Sequence, residues 1–195
     1  MPPRFMALLL AVVMFLPAPL LADEKNSLIQ SMRDGGVVIY WRHAKTDWRF
    51  RDTDLSDMDR CATQRNLNEE GRTQARQVGE AFERLEIPVG SVLSSDFCRN
   101  RETAELAFGR YERVGSLFNL PATRDATRRD QLVSSLRTLL ATPPEDGSTN
   151  TVIVGHNLNL RAAANVFIDE GGIAVFQPLG SDGFRHLGSL EPEDL

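Results

Sequence analysis

The sequence predicts an α/β fold with a largely parallel sheet, and three observations carry that prediction. Two short segments, VVIYW at 37–41 and TVIVG at 151–155, are apolar on both faces, as strands buried within a parallel sheet are. Strand-like and helix-like segments alternate along the chain, the order that builds parallel sheets through helical crossovers. The chain has only three histidines, and two of them, His43 and His156, follow closely on those two buried segments.

Residues 27–34 read as a short helix stopped by Gly35-Gly36. The strand 37–41 follows, and the polar, aperiodic stretch 44–66 reads as a surface loop. Asn68 is an N-cap, with Glu69 and Glu70 in the first turn where the helix dipole favours acids. Ala75, Val78, Phe82 and Leu85 recur at helical spacing, and Pro88 closes that helix. SVLSS at 91–95 is a second strand and 99–108 a helix, with a third strand expected within 112–118. Leu132, Leu136 and Leu139 place one apolar stripe on a helix at 128–140, and TPPEDGSTN at 142–150 is a loop by composition. The strand 151–155 is followed by a helix at 158–167. The tail, 172–190, reads as a hairpin turning at Gly180 to Gly183.

The 195 residues are enough for one domain with a sizeable core, and neither repeats nor linkers divide them. The net charge of −5 argues against bulk nucleic-acid binding, which needs a basic face. It leaves room for a small anionic substrate, because local arginines can build a positive pocket on an acidic protein. Residues 1–22 read as a signal peptide: Arg4 in a positive start, FMALLLAVVMFL as a short apolar stretch, and cleavage expected after Ala22. An uncleaved membrane anchor is the alternative, disfavoured by the shortness of the apolar stretch and by Pro17 and Pro19. The domain expected is therefore 23–195, periplasmic or secreted, with no membrane span after cleavage. Export makes Cys61 and Cys98 a disulfide candidate, the alternative being two buried thiols. The sequence carries no signal for oligomeric state.

In open parallel sheets ligands bind beyond the carboxyl ends of strands. His43 and His156 are therefore expected to face one crevice, joined by Arg42 and by Arg99 at the start of the helix after strand 91–95. Two arginines, two imidazoles and a helix N-terminus suit a phosphoryl group: guanidinium forks bind phosphate oxygens in pairs, and free helix N–H groups attract anions. The residues require no metal or cofactor, since two histidines without a nearby cysteine or acid cluster make a poor zinc site. Thr46 offers a hydroxyl either to the phosphate or to an ST-turn in its own loop. Arg49 and Arg51 are substrate-side cations, and Trp48 with the 49–60 loop is placed to cap the crevice. The run Arg124, Arg128, Arg129 is either a positive rim or a solvated helix face.

Taken together, VVIYWRHAKT, LNEEGRTQARQVGEAF, VLSSDFCRNRETAEL and VIVGHNLNL resemble the motifs of the histidine phosphatase superfamily, over residues 37 to about 160. The resemblance implies a phosphoglycerate mutase-like fold, a three-layer αβα sandwich. It implies a phosphomonoesterase in which His43 is the nucleophile, with Arg42, Arg99 and His156 completing the phosphate pocket. Small exported relatives of this kind act on cell-envelope phosphates, so a phosphorylated small molecule or cell-envelope component is the expected partner. The chain departs from the family where many relatives carry a glutamate proton donor: the LFNLPA region has Asn119 and no acid, and Asn157 follows the second histidine. Asp47, Asp96, Asp125 and Asp182 remain as candidate donors. The alternatives are an exported phosphate-ligand binding protein with little turnover, and a phosphohistidine-protein phosphatase or mutase, whose usual substrates are cytoplasmic.

Overall fold

The computed structural model describes residues 18–195; most of the expected signal peptide, 1–17, lies outside the described residues. Among the described residues the fold is a mixed α/β sandwich of one six-stranded sheet and five α-helices. In chain order these are α1 (Ala18–Arg33), β1 (Val38–Arg42), α2 (Glu69–Arg84), β2 (Val89–Ser94), α3 (Cys98–Phe108), β3 (Glu112–Arg113), α4 (Ala126–Ala141), β4 (Asn150–Gly155), α5 (Asn157–Ala164), β5 (Ile173–Pro178) and β6 (Phe184–Leu190). The strands lie in the order β3-β2-β4-β1-β5-β6. The first four run parallel, and β5 and β6 add an antiparallel hairpin beside β1.

The two faces of the sheet explain why β1 reads as a continuous apolar run. Ile39 and Trp41 point to one face and pack with Met32 of α1, Ala75, Val78 and Phe82 of α2 and Ala104 of α3. Val38 and Tyr40 point to the other and pack with Leu136 and Leu140 of α4 and Leu160 and Ala163 of α5. Alternate side chains thus enter different cores, and neither face of β1 meets water.

Three boundaries differ from the sequence reading by three residues or more. Helix α1 is already formed at Ala18, the first described residue, rather than starting at 27, and runs through the expected cleavage point between Ala22 and Asp23. Strand β3 pairs only at residues 112–113, because the chain turns into a 3-10 helix at Gly115–Leu117. Helix α5 stops at Ala164, where Asn165 takes a left-handed conformation (φ 55°) and its N–H bonds back to the Arg161 carbonyl. Among the described residues no helix is long and apolar enough to cross a membrane.

Candidate active site

The parallel register fixes which chain segments can meet. Strands β2, β4 and β1 are neighbours, and their carboxyl ends are tied together: the His43 N–H bonds the Gly155 carbonyl at 3.1 Å, and the Ser95 N–H bonds the Val154 carbonyl at 3.1 Å. His43 and His156, 113 positions apart, therefore stand edge to face with ring centroids 5.6 Å apart. Arg99, in the first turn of α3, is fully buried beside them, its guanidinium 4.4 Å above the Phe97 ring.

Hydrogen bonds orient both imidazoles. His43 Nδ1 lies 3.0 Å from the Ala44 carbonyl, which can only accept, so Nδ1 carries the proton and Nε2 presents its lone pair. His156 Nε2 lies 3.0 Å from the Ser95 hydroxyl. Burial pushes both histidines well below the usual value of 6.5, and Arg99, Arg42 and Arg65 push them further. Burial likewise lowers Arg42 and Arg99, opposed chiefly by Glu170 for Arg42 and by Asp52 for Arg99.

The stretch read as a surface loop supplies two side chains that the sequence reading missed. Asp52 accepts from Arg99 Nη1 at 3.0 and 3.3 Å and from the Arg65 N–H at 2.9 Å. Arg65 brings a third guanidinium, stacked 3.7 Å over the Trp48 indole. The third missed residue is Glu170, just before β5. It accepts from the Thr46 hydroxyl at 2.6 Å, the Thr46 N–H at 3.3 Å and Trp48 Nε1 at 3.3 Å. It also stands 3.7 Å from Arg42 Nη2 and 3.8 Å from Arg65 Nη1. Gly171 puts Glu170 there: its φ is +89°, its N–H bonds the His43 carbonyl at 3.0 Å, and a Cβ would lie 2.4 Å from the Gln74 side chain. The Asp-Glu-Gly-Gly sequence at 169–172 was the signal available for this turn. A cavity of about 550 Å³, lined by Arg42, Thr46, Trp48 and Glu170 with Lys45, Asn68, Glu70 and Asp169, adjoins this cluster.

The three arginines are held but not used up. Arg42 Nη1 bonds the Ile168 carbonyl at 3.1 Å, and Arg99 Nη1 bonds Asp52 and the Arg65 carbonyl. Arg42 Nε, Arg65 Nη1 and Arg99 Nε and Nη2 are buried without a hydrogen-bond partner. Buried donors are rarely left so, and a cluster of them on three cations beside two neutral imidazoles is built to receive an anion.

Other expected residues are occupied elsewhere. The Thr46 hydroxyl is buried and donates to Glu170, not to an ST-turn of its own loop. The Arg49 side chain is 84% exposed and grips Asp47, and this contact lowers Asp47 to about 2, so Asp47 holds no proton to donate. Asp96 pairs with Arg113, Asp125 caps α4 through the Arg128 N–H, and Asp182 is exposed in the β5–β6 turn. His186 packs on Phe176 in the hairpin. Cys61 and Cys98 form a disulfide that fastens the 49–66 loop to α3 one residue before Arg99.

Residues 38–115 match the family model of the histidine phosphatase superfamily (branch 1). Solved structures share the fold. The protein histidine phosphatase SixA complexed with tungstate is 14% identical, with 81% of this chain and 98% of that one covered and a TM-score of 0.55. A phosphoserine phosphatase of Entamoeba histolytica in complex with phosphoserine is 13% identical, with 82% and 98% covered and a TM-score of 0.54. A mycobacterial glucosyl-3-phosphoglycerate phosphatase is 15% identical, with 78% and 97% covered and a TM-score of 0.53. No curated protein matches the sequence.

Proposed function

We propose that this chain is a phosphatase of the histidine phosphatase superfamily that hydrolyses a phosphomonoester through a phosphohistidine on His43. The observation that carries the reading is the set of unpartnered guanidinium donors on Arg42, Arg65 and Arg99 around the free Nε2 of His43. In the first step Nε2 bonds to phosphorus as the ester P–O bond breaks, and the leaving oxygen takes a proton from solvent or substrate. In the second, water attacks the phosphohistidine, the N–P bond returns its electrons to His43, and the proton released by the water passes to the phosphate or to solvent. The arginines match the charge that spreads over the three equatorial oxygens, and His156 adds a polar contact. Deep burial of both rings keeps His43 neutral, which attack requires.

The expected leader and the Cys61–Cys98 bridge support a site of action outside the cytoplasm, on a phosphorylated small molecule or cell-envelope component. Phosphate release from a panel of phosphorylated substrates, with His43→Ala as control, tests the reading. His43→Ala should abolish release; activity within tenfold of wild type overturns it. One observation favours a second reading, a phosphate-binding protein with little turnover: none of Asp47, Asp96, Asp125 and Asp182 stands ready as a proton donor. A phosphoenzyme trapped by acid quench excludes that reading.

A further inference from the structure

Glu170 is out of place in a pocket meant for an anion. Its side chain is only 11% exposed, and two guanidiniums face it. Yet it stands 3.7 Å from Arg42 Nη2 and 3.8 Å from Arg65 Nη1, beyond hydrogen-bond reach of either. Its oxygens are filled instead by neutral donors, the Thr46 hydroxyl and N–H and the Trp48 indole. Asp52 behaves differently, since it bonds Arg99 Nη1 directly.

We propose that Glu170 is the counter-ion of the phosphate pocket: it offsets the charge of Arg42 and Arg65 while leaving their donors free, and so limits how tightly phosphate is held. Removing Glu170 raises the net charge of the pocket by one, beside guanidiniums that are mostly buried, where charge is poorly screened. Affinity for any phosphate then rises, that of the released product included. Under the phosphatase reading, on which this kinetic consequence rests, tighter product binding slows turnover. Glu170 is thus a positioning residue that acts through Arg42 and Arg65.

The alternative role is a tether for the Trp48 loop, and two substitutions separate the two. Glu170→Gln removes the charge and keeps an acceptor; Thr46→Val removes a tether bond and keeps the charge. Calorimetric titration of each purified protein with inorganic phosphate is the measurement, with kcat and KM for an aryl phosphate alongside. Glu170→Gln should bind phosphate about tenfold tighter or more, with kcat and KM both lowered. Thr46→Val should bind it no more tightly than wild type. Unchanged or weaker binding by Glu170→Gln overturns the proposal, as does equal tightening by Thr46→Val. If Glu170→Gln does not fold, Glu170→Ala carries the same test. Wild type that binds phosphate without turnover or phosphoenzyme overturns the phosphatase reading alone, and the affinity ratio still decides the role of Glu170. Failure of both wild type and Glu170→Gln to bind phosphate overturns both.

Discussion

The hydroxyl of Tyr40 closes a two-bond ring with the backbone of His156, donating to its carbonyl at 2.9 Å and accepting from its N–H at 2.7 Å. Tyr40 lies in β1 and is fully buried, so one strand's core side chain fixes where the other strand delivers its histidine. Gly155 leaves room for this: a Cβ there would lie 2.0 Å from the Tyr40 oxygen.

Tyr40→Phe should therefore cost about 1–3 kcal/mol of stability, because it strands the buried His156 N–H, whereas the His156 carbonyl keeps the Leu160 N–H at 3.2 Å. It should also lower kcat, because His156 loses its fixed position. Denaturant unfolding and steady-state kinetics on the same protein check both effects. Gly155→Ala should do at least as much damage by overpacking.

Arg99→Lys should lower kcat/KM by about 100-fold or more. An ammonium cannot hold Asp52 at one nitrogen and present two other nitrogens to the pocket. Arg65→Lys should cost less, since Arg65 is held by stacking on exposed Trp48 and by its own N–H bond to Asp52. Comparing the two variants by kcat/KM ranks the guanidiniums; equal losses contradict the ranking.

The two buried histidines leave activity insensitive to mild acid while making stability fall with it. Folded His43 titrates well below 6.5, so kcat/KM should stay flat from pH 7 through 6, where an exposed histidine nucleophile would lose about two-thirds of its activity. In the unfolded chain both histidines protonate near 6.5. The unfolded state thus binds more protons as pH falls below that value, and folding stability drops. The slope is about 1.4 kcal/mol per pH unit for each histidine, until the folded pKa is reached. Chemical denaturation at pH 7 and pH 5 measures the drop, and His156→Gln should reduce it.

Reducing the Cys61–Cys98 bridge frees a segment spanning 37 positions, worth about 4 kcal/mol by loop-closure entropy. Arg99 also loses the brace beside it. A double Cys→Ser protein should melt lower than wild type and show a raised KM. Melting unchanged by reductant contradicts this.

Much of the fold was legible because it follows local rules. Two-sided apolar strands, the Asn68 cap that accepts from the Gly71 N–H, and the Gly-bounded hairpin all appear where the sequence placed them. Strand β3 was misjudged at its end, where a two-residue edge pairing decides the boundary. The proton-donor candidates could not be ranked from the sequence, for a different reason. Each is an acid near a motif in sequence, but each is already bound by an arginine or a helix N-terminus, or left at the surface.

By itself the sequence determined that Arg42, His43, Arg99 and His156 leave the ends of buried strands, or open the next helix, on one side of a parallel sheet. That much depends on periodicity and on the chirality of crossovers, which are properties of short segments. Only the tertiary structure brought Asp52, Arg65 and Glu170 to the same place, because aperiodic loops have no pattern that fixes their path. Their positions are set by what they touch: Asp52 by Arg99, Arg65 by the Trp48 ring, and Glu170 by the Thr46 hydroxyl and the turn at Gly171.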